Sequence, residues 1–128
     1  MLNRRELGAK GEMSAAAYLV EHGYEILHRN FRCPAGEIDI IAKIESSGIA
    51  TIVFVEVKLR IGDCHGTAAS AVDRRKQRRL IDSALHYLAV HPPSREEPSM
   101  RFDVVEILPD HHGSFTLNHH VGAFTADW

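Results

Sequence analysis

Asp39, Glu56 and Lys58 are the residues of this 128-residue sequence whose types and spacing could do chemistry. Asp39 stands in Gly36-Glu37-Ile38-Asp39-Ile40-Ile41 and Glu56 in Val53-Phe54-Val55-Glu56-Val57-Lys58, so each acid is set among apolar residues that read as buried strand. Carboxylates are rare in such places unless paired, protonated or bound to a cation. If a hairpin brings the two within about 5 Å, their repulsion at an effective dielectric near 20 is about 3 kcal/mol, and a cation between them reverses that penalty. The expected ion is Mg²⁺ (or Mn²⁺), because Mg²⁺ takes hard oxygen ligands, often only one or two carboxylates, and completes its octahedron with water and substrate phosphate. Lys58 shares a side of its strand with Glu56. Its ammonium could position or help deprotonate an attacking water, or neutralise charge developing on a phosphate. The chemistry implied is metal-assisted phosphodiester hydrolysis. Against it stands a plainer reading: a Glu56–Lys58 ion pair worth about 0.2 to 1 kcal/mol, with Asp39 bonded to backbone groups.

The elements that must hold these residues follow from periodicity. Leu7, Gly11, Ala15, Tyr18 and Leu19 recur at helical spacing and predict an amphipathic first helix that ends at His22 and Gly23. Tyr24 to Cys33 reads as a strand, and Pro34, Ala35 and Gly36 as a turn. Glu37 to Ile44 and Thr51 to Leu59 read as an antiparallel hairpin joined by Glu45, Ser46, Ser47 and Gly48. Alternation along its second strand puts Val53, Val55, Val57 and Leu59 on one side and Ile52, Phe54, Glu56 and Lys58 on the other. After a loop over Gly62 to Gly66, Asp73 caps a helix running to Leu88 or Ala89, with Leu80, Ile81, Ala84, Leu85 and Leu88 as its core stripe. Pro92, Pro93 and Pro98 enclose a polar connection to strands over Arg101 to Leu108 and Phe115 to Val121. The expected fold is α/β, a mixed sheet flanked by helices in the order α-β-β-β-α-β-β, as one domain over residues 1–128.

Composition narrows the function classes. With 45% apolar and 25% charged residues the chain falls in the ordinary globular range. The start has Arg4 and Arg5, but Lys10, Glu12 and Glu21 break what would be the apolar stretch of an export signal, and Thr51 to Val55 is far short of the roughly 20 residues that span a bilayer. A soluble, cytoplasmic protein without membrane partners is expected. Cys33 and Cys64 have no C-x-x-C partner, which fits a reducing compartment. The net charge of -2 argues against a passive nucleic-acid binder, yet five of the fifteen basic residues fall in Arg74, Arg75, Lys76, Arg78 and Arg79. That run occupies the first turns of the second helix, the wrong end to complement the helix dipole. It reads as a phosphate-tracking surface or as a solvated helix face.

Several ordered motifs together resemble the YraN-like group of small bacterial proteins within the restriction-endonuclease-like superfamily. They are Gly8-x-x-Gly11-Glu12, Arg29-Asn30, Gly36-Glu37-Ile38-Asp39, Phe54-Val55-Glu56-Val57-Lys58 with Arg60, Ala71-Val72, Lys76, and Arg101-Phe102-Asp103-Val104, spanning about Leu7 to Phe124. The resemblance implies a fold similar to type II restriction enzymes, archaeal Holliday-junction resolvases and the tRNA-splicing endonuclease domain. In the superfamily pattern PD-(D/E)-x-K, the first acid maps to Asp39, the second to Glu56 and the lysine to Lys58, with Ile38 where proline often stands. Junction resolvases add a glutamate from the first helix, which Glu12 matches. The implied catalytic set is Asp39, Glu56, Lys58 and Glu12, and the implied metal-site positions are Asp39, Glu56, Glu12 and Val57. Lys76 or Gln77 is the polar residue that this superfamily often sends from the second helix toward the catalytic strand.

The expected activity is a Mg²⁺-dependent endonuclease acting on DNA, at branched or single-stranded structures. Arg60, Arg74, Arg75, Lys76, Gln77 and Arg78 are the expected nucleic-acid contacts. Arg60 and Arg101 are candidates for touching a phosphate, or for pairing with Asp63 or Asp103. A catalytically silent nucleic-acid-binding module of the same fold is the alternative, and a protein-interaction scaffold a third. A homodimer would suit symmetric cutting of both strands. His111-His112 and His119-His120 are poor metal clusters, because adjacent residues on a strand face opposite ways.

Overall fold

The structure is a computed structural model describing residues 2–61, 72–94 and 99–126. The elements are α1 (Arg4–Glu21), β1 (Glu25–Cys33), β2 (Gly36–Ser46), β3 (Ile49–Leu59), α2 (Arg74–Val90), β4 (Ser99–Pro109) and β5 (Phe115–Phe124). This is the expected α/β order. The loop expected at Gly62 to Gly66, with Asp63 and Cys64, lies outside the described residues, as do Ala71 and Pro98.

Local signals explain where the elements begin and turn. Asn3 caps α1 by accepting the Glu6 N–H at 2.9 Å while the Glu6 carboxylate reaches back to the Asn3 N–H, a reciprocal box that satisfies two otherwise orphaned donors. Asp73 caps α2 by accepting the Lys76 N–H at 2.9 Å. The β2–β3 hairpin is tighter than the four-residue loop expected from sequence. Ser46 pairs with Ile49, leaving Ser47 and Gly48 as a two-residue turn with φ of 52° and 78°. Two consecutive left-handed residues match the right-handed strand twist, and Gly48 supplies one of them without steric cost.

The five strands lie in sequence order, β1-β2-β3-β4-β5, with every neighbouring pair antiparallel except β3 and β4. A parallel pair requires a crossover, and α2 is that crossover. α1 covers one face of the sheet and α2 the other. On the α1 side Ala15 and Leu19 pack on Ile40, Val53, Val55, Val105 and Ile107. On the α2 side Leu80, Ala84 and Tyr87 pack on Ile38, Ile41, Phe54 and Phe102. The α2 stripe differs from expectation: Leu85 is 47% exposed, and Ser83 and Tyr87 are buried. Tyr87 reaches the core because its ring stands edge-on to both Phe31 and Phe54. No helix among the described residues is long and apolar enough to cross a membrane.

Candidate active site at the split between β2 and β3

The ladder between β2 and β3 runs from Ser46↔Ile49 to Ile40↔Val55 and stops there. Asp39 is the next residue of β2. Its neighbours show why the ladder ends: Ile38 belongs to the α2-side core and Ile40 to the α1-side core. Residues two apart on a regular strand share a face, so alternation breaks at Asp39. Across on β1, Arg29↔Ile40 and Phe31↔Ile38 flank the same point, and Asn30 between them has φ of 53°, a left-handed conformation that asparagine tolerates better than most residues. The Asp39 carboxylate fills the gap by accepting the Val57 N–H through Oδ2 at 2.8 Å. In an antiparallel ladder a residue's N–H and C=O face the same neighbour, so the Val57 carbonyl also faces the side that β2 has left.

Glu56 is 9% exposed and lies on the α2 side of β3. Burial, and next the charge of Glu56, push the Asp39 carboxyl up to about 7, against the Val57 N–H, which favours the ionised form. Burial also raises Glu56, opposed by Lys76 and Lys58. Lys76, from the first turns of α2, holds its Nζ 3.5 Å from Glu56 Oε1. Lys58 is exposed two residues along the same face. Two acids of like charge are therefore held in a partly dry place with one amine in contact and another beside it.

The other site candidates separate into groups. Glu12 is near enough for its charge to raise Asp39, but its carboxylate is paired with Arg29 at 3.5 Å. Among the described residues, no three His, Cys, Asp or Glu side chains are gathered as a ready set of metal ligands. Of the two polar residues on α2, Lys76 points to the site, whereas Gln77 donates from Nε2 to the Val72 carbonyl at 2.8 Å. Arg74, Arg75 and Arg78 are exposed. Lys76 and Arg79 line two adjoining hollows of about 380 and 320 Å³, the first completed by Arg32, Cys33, Gly36 and Glu37 and the second by Asp73 and Arg75. Arg60 donates from Nε to Glu106 Oε2 at 2.6 Å.

Arg101 does not face the site. It makes two bonds of 2.8 Å to Asp103, which also accepts from Gly122 N–H and bonds His119. Asp103 is fully buried on the α1 side, where burial would raise it but these partners outweigh that and hold it below the ordinary carboxylate range. Glu37, Glu106 and the Arg29–Glu12 pair were not singled out from the sequence. Glu106 carried the same signal as Glu56, an acid embedded in an apolar strand, Val104-Val105-Glu106-Ile107.

Fold and site together define a small mixed-sheet α/β domain with a half-buried aspartate and a buried glutamate where its second and third strands part. The chain belongs to the family described as "Uncharacterised protein family UPF0102", whose model matches residues 11–107. It is 45% identical over 109 residues to a UPF0102 protein of Caldicellulosiruptor bescii, covering 85% of this chain and 87% of the relative. It is 39% identical over 122 residues to one from Pelobacter propionicus, covering 95% and 84%. A third, from Alcanivorax borkumensis, is 42% identical over 108 residues, covering 84% and 82%.

Proposed function

We propose that the chain is a divalent-metal-dependent endonuclease that hydrolyses phosphodiester bonds of nucleic acid, DNA first, with branched or single-stranded structure as its target. The observation that carries this reading is half-buried Asp39 held beside buried Glu56, whose charge raises it. Two carboxylates raised by burial, Asp39 also by the charge of Glu56, gain from a shared cation what they lose by lying in a partly dry place together. The donors fit Mg²⁺ or Mn²⁺: Asp39, Glu56 and the Val57 carbonyl are hard oxygens, and Glu12, whose charge reaches Asp39, would join through water. When bound, the ion supplies Lewis acidity, an activated water and a template for substrate.

The chain's own residues do the rest. Asp39 is fixed by the Val57 N–H, so its second oxygen is aimed rather than free to rotate. Lys58 orients the attacking water or meets charge developing on the phosphate. Lys76 balances Glu56 and borders the basic hollows that would take the flanking backbone.

The Lys76–Glu56 and Arg29–Glu12 pairs favour a second reading, a nucleic-acid-binding module without turnover, because each already neutralises an acid with a protein cation. One experiment separates the two. Purified chain is incubated with labelled duplex, single-stranded and four-way-junction DNA in Mg²⁺, Mn²⁺ or chelator. Divalent-dependent cutting that disappears in Asp39→Ala and Glu56→Ala, with both variants folded, supports the nuclease. Binding without cutting supports the module, and cutting retained in either variant sinks the assignment of the site.

A further inference from the structure

The face of the sheet that carries Glu56 continues into a second polar group. Glu56 on β3 is level with Val104 on β4, and Val104 is level with His120 on β5. Val104 is part of the α2-side core, so this row lies on the α2 side. His119 turns to the other side, with Nε2 at 2.8 Å from Asp103 and Nδ1 at 3.2 Å from the Tyr18 hydroxyl of α1. At about 4.8 Å per strand, His120 stands about 10 Å from Glu56 across the sheet. That is the length of about three stacked nucleotides at 3.4 Å each.

The next row on this face is Lys58 level with Glu106. Glu106 is 6% exposed, and a bare carboxylate there would repel a phosphate lying over the site. Both of its oxygens are engaged by basic side chains, Oε2 by Arg60 Nε and Oε1 by His120 Nε2. Burial raises the Glu106 carboxyl, but those two contacts prevail and keep it below its ordinary range. The Glu106 bond fixes the imidazole through Nε2, as carboxylates commonly fix functional histidines. The ring remains 36% exposed, and its Nδ1 makes no hydrogen bond among the described residues.

We propose that His120 is a phosphate-binding residue of this site, its ring oriented by Glu106 so that Nδ1–H meets a non-scissile phosphate of the strand lying over Glu56 and Lys58. This rests on the nucleic-acid reading above and extends it: the bound strand runs from the basic first turns of α2, past Glu56 and Lys58, to the edge strand β5. The contact is electrostatic, so its signature is the salt dependence of binding.

The test uses the full chain and a fluorescein-labelled 30-base-pair DNA duplex in chelator at about pH 6. Anisotropy titrations over a salt series compare wild type, His120→Gln, His120→Lys and the triple variant Arg74→Gln, Arg75→Gln, Arg78→Gln. The expected result is a slope of log affinity against log salt that is shallower by about 0.9 in His120→Gln and restored in His120→Lys, with both melting as wild type does. An unchanged slope in His120→Gln, while the triple variant loses slope, overturns the His120 contact and leaves the binding reading standing. Wild type that binds no duplex even at low salt overturns both.

Discussion

The Asp39 carboxylate bonds the Val57 N–H at 2.8 Å one residue beyond the last backbone pair of β2 and β3, Ile40↔Val55. A side chain thus takes over from a main-chain carbonyl where the strands part. The exchange tethers Asp39 and opens the strand edge on which Val57 presents its backbone. The same bond holds Asp39 where Glu56, Glu12 and Glu37 all press on its charge.

Asp39 should therefore cost the fold stability when ionised. Its carboxyl is raised to about 7 from the ordinary 3.8, so the folded chain binds that proton more tightly than the unfolded chain. Below pH about 4 both states are protonated and the group costs nothing; between about 4 and 7 stability falls because the unfolded chain ionises while the folded chain still holds its proton, and above about 7 the full cost stands. Asp39→Asn keeps an oxygen for the Val57 N–H and removes the charge. Urea unfolding should find it more stable than wild type at pH 8, by about 4 kcal/mol at most, and equal to it at pH 3.5. A gap of the same size at both pH values would show that burial and like charge do not act on Asp39.

A divalent ion should cancel that cost. At pH 8, Mn²⁺ at about 100 times its dissociation constant should stabilise wild type by about 2.7 kcal/mol. The shift should vanish in Asp39→Asn and in Glu56→Gln. Glu12→Gln, altering a residue paired with Arg29, should keep the shift with an affinity about 10-fold weaker. Calorimetry with each variant reads this without a substrate, and a full Mn²⁺ shift in Asp39→Asn would remove that residue from the metal site.

Asp103 should behave in the opposite way. It is buried beneath bonds from Arg101, His119 and Gly122 and held below the ordinary range despite its burial. Asp103→Ala leaves those donors without their acceptor and should cost about 3 to 5 kcal/mol at neutral pH. Because the carboxyl is lowered, that stabilisation is present above pH about 4 and fades as pH falls through the depressed value. Denaturation midpoints across that range check the sign. Cleavage per folded molecule should be unchanged, and a selective loss of cleavage would tie this network to the site.

Gly11 sets how closely α1 approaches the sheet. A Cβ there would lie 1.7 Å from Ile107 Cδ1 and 3.0 Å from its Cγ1. Gly11→Ala should destabilise by about 1 to 3 kcal/mol through overpacking, despite alanine's better helix propensity. Ile107→Val removes the nearest atom. In a double-mutant cycle the pair should cost at least about 1 kcal/mol less than the two changes added together. Strict additivity would mean that the helix moves instead, and cleavage should then fall as Glu12 shifts with it.

Period and composition alone fixed much of this protein. Alternation in Val53-Phe54-Val55-Glu56-Val57-Lys58 put Glu56 and Lys58 on one face, and two acids among apolar strand residues marked the site, because an embedded charge is costly wherever the strand packs. Asp73 and the apolar spacing after it gave the second helix. What sequence could not decide is what long-range packing decides. The break in alternation at Asp39 depends on which core claims Ile38 and which claims Ile40. Lys76 meets Glu56, while Gln77 beside it turns to Val72, only because α2 lies across the sheet at one angle. Tyr87 displaces Leu85 from the core because aromatic partners wait on β1 and β3. His119 and His120 were legible as facing apart, but that one meets Asp103 and the other Glu106 required strands β4 and β5 to pair in their particular register, a contact between residues that no local spacing encodes.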